Sequence, residues 1–99
     1  MKIKIRGVRF NNMTGEPKVV ECSIELRHHD SLGNILEMSD GVTGYESICL
    51  EGACGVHWEN LVLRGWWACL GAAGRWDALY FHGQQMKLVR DAVRKELDA

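Results

Sequence analysis

Three side chains with metal-binding or nucleophilic chemistry lie close together in the middle of the chain: Cys49, Cys54 and His57. Cysteine thiolates and imidazole nitrogens are ligands that zinc prefers, and Cys69 is a nominal fourth ligand. If residues 57–69 form one helix, a rise of 1.5 Å per residue separates His57 from Cys69 by about 18 Å, whereas ligands bind about 2 Å from the metal. The spacing therefore favours small buried thiols. A small metal- or ligand-binding domain centred on the first three residues is kept as an alternative.

Cys54 also stands at the start of an expected helix, three residues before His57. A thiol in that position can lose its proton more easily and begin a nucleophilic dyad. Nearby carboxylates oppose the thiolate, nothing marks an oxyanion hole, and a chain of 99 residues has little room for a substrate cleft. The glycines at 52 and 55 could cradle a phosphate, but no Lys or Arg lies between positions 28 and 63. We therefore expect no enzyme activity and no cofactor.

The elements that carry these residues begin with two predicted strands. Apolar residues alternate from the N-terminus, and their phase slips at Gly7. A second, strictly alternating segment follows a turn-rich stretch, which predicts an antiparallel hairpin. One bulged residue near Gly7 places Val8 opposite Val20 and Ile5 opposite Ile24, so that the apolar side chains share one face.

The rest of the chain predicts further strands and two helices. Residues 35–38 and 43–50 predict a second hairpin, and residues 78–81 a short strand. Apolar residues recur with helical spacing over residues 58–70 and again over residues 86–97. The predicted fold class is α+β: a mainly antiparallel sheet, built from two hairpins plus one later strand, with two helices on one face. We expect a single domain of residues 1–99.

Length and composition are those of one small globular domain. Hydrophobic residues make up 46% of the 99 positions and charged residues 25%, which is average for soluble chains. The sequence has no run of 18 apolar residues and does not begin like a signal peptide. We therefore expect a cytoplasmic protein without membrane contact, whose four cysteines stay as thiols.

Charge is distributed unevenly along the chain. Residues 1–27 carry six basic and three acidic side chains, residues 28–63 carry no basic and six acidic ones, and residues 64–99 carry six and four. An acidic face in the middle segment would attract basic partners and repel nucleic acid. Alternatively, the acids point in several directions and pair with the N-terminal bases. The six acids are Asp30, Glu37, Asp40, Glu46, Glu51 and Glu59.

Trp67 is the second indication of a binding surface. On the predicted helix, the residues Glu59, Leu63 and Trp67 follow each other at intervals of four and lie opposite the apolar stripe. An exposed indole beside polar residues is typical of binding hot spots. Two alternatives stay open, since the C-terminal helix could cover this ridge or a second copy could bind it.

These features favour a non-enzymatic protein-binding module. We expect a small inhibitor that uses an acidic surface to occupy a basic, nucleic-acid-handling groove of a larger protein, a role suited to a protein of a mobile element or virus. Direct nucleic-acid binding is not expected for a net charge of −1. A structural homodimer is the other alternative. The predicted partner-binding residues are Glu37, Asp40, Glu46, Glu51, Glu59, Leu63 and Trp67.

Overall fold

A computed structural model describes the backbone of residues 1–11, 14–70 and 76–99. These residues form an α+β fold of antiparallel strands and helices, which confirms the predicted class. None of their helices is long and apolar enough to cross a membrane. In chain order the elements are β1 (Lys2–Phe10), β2 (Pro17–His29), β3 (Gly33–Ser39), β4 (Gly44–Cys49), α1 (Gly52–Gly55), α2 (Trp58–Leu63), β5 (Trp66–Leu70), β6 (Trp76–Tyr80) and α3 (Gly83–Leu97).

All six strands of the described chain belong to one sheet with the order β4-β3-β2-β1-β6-β5. The first four strands form a continuous meander, and β5 and β6 form a separate antiparallel pair that joins at β1. The layout therefore differs from the predicted two hairpins plus one strand. The edge strands β4 and β5 also contact each other, so that the sheet curls towards a barrel around the core.

The first hairpin has an unbroken register, so the predicted bulge is wrong. Ile5 lies opposite Cys22, and Val8 lies opposite Val19. The unbroken register directs position 7 inwards, and only glycine fits there because a Cβ would come within 2.6 Å of the Phe81 ring. The apolar pattern shifts at Gly7 because the Phe81 ring fills the inward space that an apolar side chain would otherwise occupy. Val8, the next residue, faces outwards.

The predicted helix over residues 58–70 is also wrong in its second half. Helix α2 ends at Leu63, and Gly65 has a φ of +86°, a left-handed conformation that ends helices. The chain then enters β5, where Trp66 and Trp67 point to opposite faces of the sheet. Trp67 lies opposite Leu79 and faces the core.

The predicted C-terminal helix is present as α3, which buries Met86, Val89 and Val93. The side-chain amide of Gln85 donates to the Arg6 carbonyl and accepts from the Arg6 N–H, both at 3.1 Å. The two bonds continue the ladder on β1 beyond the point where its pairing with β6 stops. Helix α3 therefore covers an edge of β1 that would otherwise be open.

Candidate functional site

Asp40, one of the predicted binding residues, is engaged inside the protein. Its side chain is 7% exposed and its Oδ2 lies 2.7 Å from Nη2 of Arg9. Its Oδ1 accepts the N–H groups of Val42 and Thr43. Burial raises the pKa of Asp40, but the bonds from Thr43, Val42 and Arg9 outweigh burial, so the pKa lies below its ordinary value. This carboxylate stabilises a turn and is not offered to a partner.

The other predicted acids do not form one open surface either. Three of them lie on different elements, each beside an arginine: Glu37 with Arg27, Glu46 with Arg64, and Glu59 with Arg94. Glu51 is exposed and accepts a hydrogen bond from Nδ2 of Asn34 at 2.9 Å. Internal pairing neutralises much of the negative charge that the sequence concentrates in its middle third. The alternative interpretation expected N-terminal bases as the partners, and this holds for Asp40 and Glu37, whereas Glu46 and Glu59 pair with arginines from the C-terminal third.

The predicted exposure of Trp67 is wrong. Its side chain is completely buried, and Leu63 packs against the same core. The cause is the change from helix to strand at Gly65, which turns Trp67 inwards and Trp66 outwards. The ridge that the sequence suggested is therefore not a surface of the folded chain.

The residues of the predicted metal site are only partly described. Cys49 is half-buried and His57 is exposed, whereas the side chain of Cys54 lies outside the described residues, as does that of Cys69. Among the side chains that the structure describes, no three His, Cys, Asp or Glu residues are grouped to hold a metal ion. The zinc hypothesis stays a prediction.

Cys22 is a thiol that the sequence analysis did not single out. It lies in the core, where burial and the nearby Asp40 carboxylate raise its pKa to about 11 against the opposing charge of Arg9. A thiol with so high a pKa is protonated at neutral pH and is a poor nucleophile. Cys22 is therefore a protonated thiol packed in the core.

The outward face of the sheet carries a contiguous apolar surface. Val19, Val8, Tyr80 and Trp66 are opposite one another on four neighbouring strands, and paired residues share a face. The Phe10 ring lies two residues beyond Val8, with its centroid 5.8 Å from that of Tyr80. We call these five residues the aromatic patch.

Four of the five members of the aromatic patch are exposed to solvent, and Val8 between them is half-buried. Val19 is 67% exposed, Tyr80 48%, Phe10 45% and Trp66 39%. Single exposed apolar residues are common on protein surfaces, whereas a contiguous group of them is typical of interaction surfaces. Three of the five are aromatic, the residue type that contributes most to binding hot spots.

Arg64 fixes the position of Trp66 at one end of the aromatic patch. Its guanidinium lies 4.2 Å from the Trp66 ring centroid, and its Nε donates to the Trp66 carbonyl at 2.6 Å. It also forms an ion pair with Glu46 on β4. Burial lowers the pKa of Arg64, and the stacked ring and the carboxylate hold the charge in place. The indole is thus held in one orientation by contacts within the chain.

Both signs of charge border the aromatic patch at its other end. Arg6 lies opposite Glu21 on the same outward face, one row from Val8 and Val19. Their charged groups are 3.5 Å apart, and the side chains are 74% and 76% exposed. Such an exposed pair contributes little to stability and can exchange its partners.

Sequence reasoning missed the aromatic patch because the assumed bulge turned Val8 and Phe10 towards the core. The signal that could have found it is the plain alternation of the first strand. Read without a bulge, this alternation places Val8 and Phe10 on the same side as Arg6 and leaves Gly7 inside.

Comparisons of the chain with family models, curated proteins and solved structures found no match. The function is therefore inferred from the surface of the molecule itself.

Proposed function

We propose that this chain is a non-enzymatic protein-binding module that occupies the surface of a larger protein through the aromatic patch. The observation that supports the proposal is the outward exposure of Phe10, Trp66 and Tyr80 on three neighbouring strands. We further propose, as the sequence predicted, that helices α2 and α3 lie on one side of the sheet. The opposite side, which carries the aromatic patch, is then open to the partner.

The size of the aromatic patch favours a large partner. Covering the exposed parts of three aromatic rings stabilises a complex by roughly 5 kcal/mol at 25 cal/mol per Å² of apolar surface. Association costs about 4–15 kcal/mol in lost freedom of motion, so the rings alone do not hold a small ligand. A partner protein that also contacts the polar border supplies the remaining area.

The chemistry of the aromatic patch favours a partner with aliphatic and basic side chains. Aromatic faces attract guanidinium and ammonium groups, as Arg64 does within the chain by stacking on Trp66. Glu21 at the border is 76% exposed and can pair with a basic residue of the partner. The predicted basic partner is therefore kept, with the contact moved from the acidic middle segment to the aromatic patch.

Nucleic acid is the less favoured ligand for this surface. Exposed aromatic side chains can stack on bases, but binding also requires cations that neutralise phosphates. The two arginines bordering the aromatic patch, Arg6 and Arg64, each lie beside a carboxylate. Their positive charge is therefore largely compensated within the chain.

The test is binding of variants to an isolated partner. The full chain captures proteins from a lysate of its native host, and the captured protein is purified and titrated with the wild type, Phe10→Ser and Tyr80→Ser. The control is Leu32→Ser, because Leu32 is 52% exposed in the turn after β2, at the other end of that strand from Val19. Circular dichroism and thermal unfolding verify that each variant is folded.

The proposal predicts that each patch variant raises the dissociation constant at least about tenfold, equivalent to 1.4 kcal/mol, while the control changes it little. Equal weakening by Leu32→Ser would contradict the proposal, as would unchanged binding by both patch variants. Capture that disappears on nuclease treatment would show that the ligand is a nucleic acid.

A further inference from the structure

We infer that a second copy of this chain covers the aromatic patch when no other protein is bound, so that a weak homodimer competes with the partner. This inference rests on the proposed function, since it assumes that the aromatic patch is a binding surface. It is carried by the order of the side chains along the row and by the charges at its border.

The row of paired residues has an aliphatic end and an aromatic end. Val19 and Val8 occupy β2 and β1, and Tyr80 and Trp66 occupy β6 and β5. Consider a two-fold axis that lies in the interface, runs parallel to the strands and passes between Val8 and Tyr80. This axis places the row of the second copy opposite the first row in reversed order. Valines of each copy then lie against aromatic rings of the other, with Val8 against Tyr80 and Val19 against Trp66.

The border charges are compatible with the same arrangement. The exposed Arg6 lies at the aliphatic end, so that the two-fold axis brings it towards the aromatic rings of the second copy. These rings are the groups that attract a guanidinium. Glu21 at the same end compensates its charge, and a net charge of −1 per chain gives little repulsion between copies.

The dimensions of the aromatic patch indicate a weak dimer. Four strands at about 4.8 Å spacing give a row about 14 Å across. A stable interface buries about 800 Å² on each partner, which is more than the row alone provides. A dimer held by this surface therefore dissociates readily, and a larger partner protein can displace the second copy.

The experiment is analytical ultracentrifugation of the full chain from low micromolar to near-millimolar concentration, with Tyr80→Ser as the patch variant and Leu32→Ser as the control. The wild type and the control are expected to shift from monomer to dimer as concentration rises. The patch variant is expected to dissociate at least about tenfold more readily.

A charge exchange tests the two-fold arrangement directly. Val19→Glu and Trp66→Lys should each prevent self-association, because the first places a carboxylate against the indole of the second copy and the second places an ammonium group against its Val19 side chain. Mixing the two variants should restore dimers, since one lysine then faces one glutamate while the second Val19 and Trp66 contact is intact.

Three results would overturn the inference: a wild type that is monomeric at every concentration, a dimer that Tyr80→Ser leaves unchanged, or mixed variants that stay monomeric. The partner titration separates these failures from failure of the proposed function. If the chain is monomeric but Tyr80→Ser still weakens partner binding, only the dimer is refuted. If neither association responds to Tyr80→Ser, both proposals are refuted.

Discussion

Asp40 shows how a single carboxylate can organise one end of the core. It joins the β3–β4 turn to β1, through the N–H groups of Val42 and Thr43 on one side and through Arg9 on the other. The guanidinium of Arg9 also lies 5.5 Å from the Tyr45 ring centroid, so the cation contacts both a carboxylate and an aromatic ring. The carboxylate acts only when it is ionised, because it must accept every one of these bonds.

The substitution Asp40→Asn should lower the free energy of unfolding at neutral pH by about 1–3 kcal/mol, the contribution of hydrogen bonds to a charged group. The folded-state pKa of Asp40 lies below its ordinary value of 3.8, so the stabilisation is fully present above about pH 4 and is lost as the pH falls through the folded pKa. Urea unfolding between pH 7 and pH 2 measures this difference.

The matched control for Asp40 is Asp30→Asn, since Asp30 is an exposed carboxylate in the turn after β2. The control should change the free energy of unfolding by less than about 0.5 kcal/mol at neutral pH. A gap between wild type and Asp40→Asn that persists unchanged below pH 3 would show that ionisation of Asp40 is not the cause.

Gly65 decides which face of the sheet Trp66 and Trp67 each occupy. Its left-handed conformation ends the chain's helical path after α2, and its carbonyl accepts the Phe81 N–H at 2.7 Å. This bond aligns β5 with the end of β6, so that Trp67 enters the core and Trp66 joins the aromatic patch. The presence of Trp66 in the aromatic patch thus depends on one backbone conformation.

The substitution Gly65→Ala should destabilise the fold by about 1 kcal/mol, because an L-residue pays about 1–2 kcal/mol in the left-handed region, partly offset by a less flexible unfolded chain. The added Cβ would also lie 3.3 Å from the Phe81 carbonyl oxygen. The control is Gly44→Ala, since Gly44 has no positive φ and no heavy atom near an added Cβ. Equal thermal unfolding of the two variants would contradict this role of Gly65.

Some strands and helices could be predicted from the sequence alone, and others could not. Strict alternation in β2 and the helical spacing in α3 are local patterns, so both elements could be predicted. The slip at Gly7 and the end of the helix at Gly65 depend on Phe81, which is distant in sequence from Gly7. Local patterns do not contain such contacts, and a helical stripe and an alternating strand both fit the residues around Trp66.

Alternation along the first strand could predict the outward position of Val8 and Phe10. The whole candidate site could not be predicted, because it is assembled from four strands whose pairing is not written in local patterns. Val8 and Phe10 lie on β1 near the N-terminus, whereas Trp66 and Tyr80 lie on β5 and β6, more than 50 residues later in the sequence. The charge pattern was correctly read from the sequence, but the arginines that neutralise the acids approach only in the fold. The apolar pattern of the sequence predicted the inward side chains of β2 and α3, whereas the aromatic patch requires the pairing of β1 with β6.

The most direct test of the aromatic patch is site-specific photo-crosslinking from position 80. A photoreactive phenylalanine derivative replaces Tyr80 in the full chain, and a second protein carries it in place of Leu32, which is also exposed but lies in the turn after β2. We predict a covalent adduct with the partner protein from position 80 and none from position 32. Adducts from position 32 alone, or adducts with nucleic acid from position 80, would show that the aromatic patch is not a protein-binding surface.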